Sequence, residues 1–87
     1  MVSANVKVIN AEGMHMRPAS RLAKMAAEYE SSVKVNYNGK AFDCKSVMFL
    51  MTACIKYNSE IELVCDGPDE EKALAELSEF IESGMGE

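Results

Sequence analysis

One short segment of the sequence, Gly13-Met14-His15-Met16-Arg17-Pro18, combines residue types suited to phosphoryl chemistry. His15 is the sole histidine of the chain, and an imidazole is a nucleophile that can accept a phosphoryl group. Pro18 favours the first position of a helix, so the amide groups that follow it, beginning at Ala19, should form an anion-binding helix N-terminus. Arg17 adds a permanently charged group that can bind a phosphoryl group with two hydrogen bonds. The segment therefore predicts a phosphoryl-transfer site.

A plainer role for His15 has to be weighed against this one. A histidine at the start of a helix is often only a capping or surface residue, and His15 alone does not distinguish the two roles. Each of its neighbours, however, has its own reason to be present: the glycine permits a tight turn, the arginine binds anions and the proline suits a helix start. The combination favours the phosphoryl-transfer site.

The elements that must position His15 can be predicted from the spacing of apolar residues. Alternating apolar residues predict four strands, around Ala4 to Val8, Val33 to Tyr37, Phe42, and Ile61 to Cys65. Helical spacing predicts helices from Pro18 to about Glu28, from Ser46 to Ala53, and from a cap at Asp69 to a stop at Gly84. The pair Asn38-Gly39 predicts a two-residue hairpin turn.

The element order βαββαβα predicts an α+β fold. One antiparallel sheet with the three helices on one face would bury the apolar stripes of the helices, which describes an open-faced sandwich. With 87 residues, 48% of them hydrophobic, the chain can form one domain with a modest core. We therefore expect a single domain over residues 1–87.

The chain resembles HPr, the histidine phosphocarrier family of the bacterial sugar phosphotransferase system. Two segments carry the resemblance, Gly13-x-His15-x-Arg17-Pro18 and Lys45-Ser46-Val47-Met48 followed by Met51, and it extends over the whole chain. It implies a four-stranded sheet of order 1-4-2-3 and a phosphocarrier that is not itself an enzyme and needs no cofactor. In that role His15 would accept a phosphoryl group on Nδ1 from enzyme I and pass it to sugar-specific enzyme II A domains.

The second segment lies on the predicted short helix, whose middle is unusually apolar. Leu50, Ala53 and Cys54 share one face, which should enter the core. We expect the remaining apolar residues to lie on the surface, where methionines adapt to several partners; a fully buried helix is the alternative. The resemblance implies that this helix and the first helix together dock enzyme I and the enzyme II A domains. The residues of this docking surface are Met16, Ser20, Arg21, Lys24, Val47, Met48, Phe49 and Met51.

Ser46 precedes the short helix and is most simply its N-cap, a role that stabilises a helix by about 1 kcal/mol. The resemblance adds a regulatory phosphorylation of Ser46 by a serine kinase, with a phosphorylase and a transcription regulator as further partners. A phosphate at a helix N-terminus is electrostatically tolerated. Beside the docking surface, however, it would repel an acidic partner.

Charge is unevenly distributed along the chain. Residues 60–87 contain ten acidic residues and one basic residue (−9), whereas residues 1–59 contain eight basic and four acidic residues (+4), which together give the net charge of −5. This asymmetry favours a phosphate or an acidic protein surface near His15 and argues against nucleic-acid binding. The sequence shows neither a membrane-spanning apolar run nor a typical signal peptide. We expect a cytoplasmic monomer that does not insert into membranes.

The three cysteines have no spacing typical of a metal or redox site, and a few other residues differ from the family pattern. Cys44, Cys54 and Cys65 have no Cys-x-x-Cys spacing, so we expect reduced, mostly buried thiols and no metal site. Met16 and Phe49 are larger or more apolar than the residues usual in the family, and Cys54 and Asn58 replace frequent glycines. Cysteine at position 54 would be strained if its φ angle were positive.

Two other functions remain open from the sequence. The first is a mainly regulatory member of the same family, acting through Ser46 in carbon or nitrogen control. The second is a module of similar fold that binds a phosphorylated metabolite at the anion site of His15. The intact His15 segment favours the carrier over the first of these alternatives.

Overall fold

Four strands form one antiparallel sheet in the computed structural model, which describes residues 1–86. The strands are β1 (Val2–Lys7), β2 (Ser32–Tyr37), β3 (Lys40–Asp43) and β4 (Glu60–Asp66), and their spatial order is β1-β4-β2-β3. The helices are α1 (Met16–Ala26), α2 (Val47–Thr52) and α3 (Glu70–Glu82). The predicted α+β open-faced sandwich, its element order and its strand order are confirmed.

The core lies between the sheet and the helices. Strand residues alternate between the core and solvent, so that Val33 and Val35 are buried while Lys34 between them is exposed. The helices contribute one apolar stripe each, and the largest fully buried helix residues are Leu22, Leu50, Leu77 and Ile81. Burial of these stripes is the main stabilising term, because removing apolar surface from water drives the packing of helices onto a sheet.

The turn between β2 and β3 follows the predicted hairpin. Asn38 and Gly39 both have positive φ angles, 52° and 79°, and Tyr37 pairs directly with Lys40. Two central residues with positive φ are typical of the type I′ turn, whose twist matches that of the flanking strands. The Asn-Gly pair is therefore sufficient to predict this turn.

Asp69 occupies the N-cap of α3, but its side chain does not cap the helix. The carboxylate instead accepts hydrogen bonds from the backbone N–H groups of Ser31 (2.9 Å) and Glu30 (3.0 Å) and from the Ser31 hydroxyl. The hydroxyl bond and then the backbone bonds hold the pKa of Asp69 below its usual value. Asp69 thus fastens the start of α3 to the loop between α1 and β2.

The three cysteines differ in exposure. Cys44 and Cys65 are buried, as predicted, and burial raises the pKa of the Cys44 thiol to about 12 and also raises that of Cys65. The placement of Cys54 in the core is wrong: a φ angle of 53° turns the chain at the end of α2, and its side chain is exposed. Within residues 1–86, no three metal-ligating side chains come together.

None of the three helices combines the length and apolar character that crossing a membrane requires, in the part of the chain that the structure describes.

Candidate functional site

The loop between β1 and α1 is held against the loop that follows α2. The Met14 N–H donates to the carbonyl of Ile55 (2.8 Å), and the Gly13 N–H closes a turn on the carbonyl of Asn10 (2.8 Å). Gly13 has a φ of 70°, and a Cβ atom there would lie 2.4 Å from the Ile55 carbonyl oxygen. Only glycine permits this approach, which fixes where the chain reaches His15.

His15 is the N-cap of α1, and the helix begins at Met16. The predicted start at Pro18 is therefore wrong by two residues: Pro18 occupies the third helical position, where its missing N–H still costs no helical hydrogen bond. The Ala19 N–H donates to the His15 carbonyl (3.0 Å) and so closes the first helical turn. The amide groups at the open end of the helix thus precede Pro18 instead of following it.

His15 is half-buried, and its side chain makes no capping hydrogen bond to α1. Its Nδ1 atom is 3.4 Å from the Gly13 carbonyl oxygen, a contact that is a weak hydrogen bond only when Nδ1 carries the ring proton. In the other neutral form the Nδ1 lone pair is available and the ring can turn away from the carbonyl. Because the distance is long, the contact with Gly13 itself opposes this rotation only weakly.

Two shallow depressions meet at His15 and Arg17. The first has a volume of about 480 Å³ and is lined by His15, Met16, Arg17, Ser20 and Arg21. The second, of about 380 Å³, is lined by Asn10, Ala11, Glu12, His15 and Arg17. The Arg17 side chain borders both depressions, so a group bound to the His15 ring on either side comes close to a guanidinium.

The turn after α3 is bound by two side chains that line these depressions, Asn10 and Arg21. The buried Asn10 side chain donates to the Gly84 carbonyl (2.8 Å), and Arg21 donates to the Met85 carbonyl at 3.4 Å. Met85 is fully buried beneath them. Asn10 was not predicted as a site residue, because nothing in the local sequence pattern indicates a partner 74 residues away.

The short helix α2 packs against α1 and carries the second group of predicted residues. The Ser46 hydroxyl accepts a hydrogen bond from the Phe49 N–H (3.3 Å), so the predicted N-cap is confirmed. Met48 and Phe49 are 75% and 55% exposed, as predicted, whereas Val47 and Met51 are half-buried and pack on the core. Leu50 and Ala53 are buried, as predicted, so α2 packs one face on the core and leaves Met48 and Phe49 in solvent.

The structure therefore groups the predicted residues in two places. Met16, Ser20 and Arg21 line a depression with His15 and Arg17, and Met16 is 64% exposed there. The α2 residues line neither depression, and Lys24 is exposed in the last turn of α1. Glu12, which borders the His15 site, was not singled out by the sequence analysis.

Comparisons with known proteins find similarity over almost the whole chain. Residues 2–83 match the family model described as the PTS HPr component phosphorylation site. The chain is 34% identical over 87 residues to the phosphocarrier protein HPr of Cupriavidus necator, covering the whole of this chain and 98% of that protein.

Two solved structures from Thermoanaerobacter tengcongensis are also similar. HPr-C-His superposes with a TM-score of 0.95 at 31% identity, over 100% of this chain and 98% of that one. An HPr dimer from the same organism superposes with a TM-score of 0.77 at 32% identity, over the full length of both chains. The fold is thus that of a known group of proteins.

Proposed function

Because the chain belongs to the HPr family of phosphocarriers of the phosphotransferase system, we propose that His15 accepts a phosphoryl group from phosphorylated enzyme I and passes it to enzyme II A domains. The chain would act stoichiometrically, as a carrier and not as an enzyme, and would use no cofactor and no metal of its own. The observation that carries this proposal is the placement of His15 at the N-cap of α1, with Arg17 beside it in both depressions.

The proposed transfer is an exchange between two imidazoles. The lone pair of a neutral His15 ring nitrogen attacks the phosphorus of the phosphohistidine on enzyme I. A new N–P bond forms as the old one breaks, and the electron pair of the broken bond returns to the enzyme I ring. The same exchange with a histidine of an enzyme II A domain regenerates the unphosphorylated carrier.

Nδ1 is the nitrogen we propose for this bond. His15 is the residue at which α1 starts, and Nδ1 is the ring nitrogen nearer the backbone. A phosphoryl group on Nδ1 would lie at the positive end of α1, beside Met16 and the Arg17 guanidinium. Nε2 is farther from the backbone, so a group bound there would lie farther from the helix start and gain less.

The exposure of the site suits a carrier. His15 is half-buried and lies between shallow depressions, so a partner histidine can approach the ring. Strong enclosure of the phosphoryl group would stabilise the carrier state and slow its onward transfer. The proposed stabilising groups, Arg17 and the start of α1, lie beside shallow depressions and do not enclose the ring.

The docking surface would supply the contacts with enzyme I and the enzyme II A domains. Met16, Met48 and Phe49 are its exposed apolar residues, and Arg21 and Lys24 add positive charge. A small apolar patch with a charged rim is suited to brief, successive encounters. We propose that the carrier acts in the cytoplasm as a monomer of one domain.

Ser46 is the proposed regulatory site. Its hydroxyl lies at the start of α2, next to the exposed Met48 and Phe49. Phosphorylation by a serine kinase would put about two negative charges there, and removal by a phosphorylase would restore docking. A transcription regulator that binds the phosphorylated form would be a further partner.

Intact-mass measurement after incubation with enzyme I, Mg²⁺ and phosphoenolpyruvate tests the carrier role. The wild-type chain should gain one phosphate that brief acid treatment removes, and His15→Ala should gain none. Arg17→Ala should keep the fold and transfer about 10- to 100-fold more slowly, because it loses a charged group that faces the transferring phosphoryl. Lys34→Ala, which removes an exposed cation from the sheet, is the matched control and should transfer normally. Acid-labile phosphate on His15→Ala would refute the proposal.

A further inference from the structure

An acidic side chain borders the site where the phosphoryl group would be carried. Glu12 lines the depression of about 380 Å³ together with His15 and Arg17. Within residues 1–86 it is the one acidic residue that lines either depression at His15, and it is exposed. Its position is set by the turn from Asn10 to Gly13, which is closed by a 2.8 Å hydrogen bond.

Glu12 carries a negative charge in a part of the sequence that is otherwise basic. Between residues 1 and 27 the chain contains no other acidic residue, whereas Arg17, Arg21 and Lys24 are all basic. No ion pair joins Glu12 to another side chain within residues 1–86. Glu12 therefore adds a negative charge at the border of the anion site.

We infer that Glu12 tunes the phosphoryl-transfer potential of the carrier by repelling the phosphoryl group on His15. This inference rests on the proposed function. A phosphoryl group adds about two negative charges, and a carboxylate at the same depression raises the free energy of the phosphorylated state relative to the unphosphorylated state. Arg17 and the helix start oppose that repulsion, so the group is held yet remains easy to transfer.

An equilibrium constant separates this role from an effect on docking. A change in how well enzyme I docks alters the forward and reverse transfer rates together and leaves the equilibrium unchanged. Repulsion inside the carrier, in contrast, shifts the balance between phosphoenolpyruvate and the phosphorylated carrier. The informative quantity is thus the phosphorylated fraction at a fixed ratio of phosphoenolpyruvate to pyruvate.

The test compares wild type with Glu12→Gln, which removes the charge and keeps the size of the side chain. Catalytic enzyme I equilibrates each carrier at several ratios of phosphoenolpyruvate to pyruvate, and intact mass gives the phosphorylated fraction. We expect the equilibrium constant for carrier phosphorylation to rise about threefold in Glu12→Gln at low salt. The difference should shrink toward none near 1 M salt, where the screening length is about 3 Å.

Glu28→Gln is the matched control. It makes the same change in net charge beyond the far end of α1, a helix of eleven residues, or about 16 Å. This distance exceeds the screening length of about 10 Å at 0.1 M salt, so the equilibrium constant should match that of wild type. Circular dichroism and thermal melts of all three chains confirm that each is folded.

The possible outcomes distinguish a failure of the role proposed for Glu12 from a failure of the carrier function. An unchanged or lowered equilibrium constant in Glu12→Gln, or an equal rise in Glu28→Gln, overturns the role of Glu12 while leaving the carrier function intact. A wild-type chain that takes up no phosphate from active enzyme I refutes the carrier function, and with it the role of Glu12.

Discussion

At the scale of single residues, the function proposed for this chain depends on where His15 stands as much as on what it is. An imidazole anywhere on the surface can react with phosphorus, but only at a helix N-cap does it carry the product into the field of the helix start. Gly13 produces that position by letting the backbone approach Ile55. The glycine and the histidine thus form one functional unit.

Cys54 shows the opposite case, a residue whose backbone conformation its side chain does not favour. With a φ of 53° it occupies the left-handed region, where a Cβ atom is unfavourable. Cys54→Gly should therefore raise the free energy of unfolding by about 0.5–1 kcal/mol, measured by urea denaturation. Cys54→Ala keeps the Cβ atom and should bring no such gain. Equal stabilisation by both substitutions would show that the thiol, and not the backbone, was the cause.

At the scale of elements, the sequence predicts what depends on local periodicity and misses what depends on distant partners. Val33 and Val35 mark a strand, and Asn38-Gly39 marks its turn, because each signal lies within a few residues. Asp69 is a standard capping residue by sequence, yet its carboxylate binds the loop at Ser31, which no local pattern reveals. The start of α1 was misplaced because proline is accepted throughout the first helical turn.

Helix α2 provides an element-scale test of regulation at Ser46. Ser46→Asp should keep α2 folded, since aspartate is also a good N-cap, and should slow transfer from enzyme I about tenfold because a negative charge now borders the docking surface. Ser46→Ala is the control: it should lose about 1 kcal/mol of stability with the cap but transfer at the normal rate. Both stabilities come from urea denaturation and both rates from rapid-quench labelling. Normal transfer by Ser46→Asp would argue against regulation through charge at this helix.

At the scale of the whole molecule, side chains distant in sequence tie the site and the sheet into one body. Asn10 and Arg21 bind the turn after α3 at Gly84 and Met85, behind His15. At the other end of α3, Asp69 holds the loop that joins α1 to β2. Because both ends of α3 are fastened, we expect α3 and the His15 loop to unfold together with the rest of the chain.

The link at Asp69 predicts how the stability of the whole molecule depends on pH. Hydrogen bonds from Ser31 and Glu30 lower the pKa of the folded Asp69 carboxyl, whereas the unfolded chain has the ordinary value of about 3.9. The contribution to stability is therefore complete above about pH 3.9 and is lost as the pH falls through the lower folded value. In that range Asp69→Asn should take up fewer protons on unfolding than wild type, so its stability should fall less steeply with acid. Urea titrations at neutral pH and from pH 5 to pH 2 measure both slopes. Ser31→Ala, which removes only the hydroxyl donor, should reproduce part of this reduction in the acid slope. Identical acid slopes in wild type and Asp69→Asn would contradict this role of Asp69.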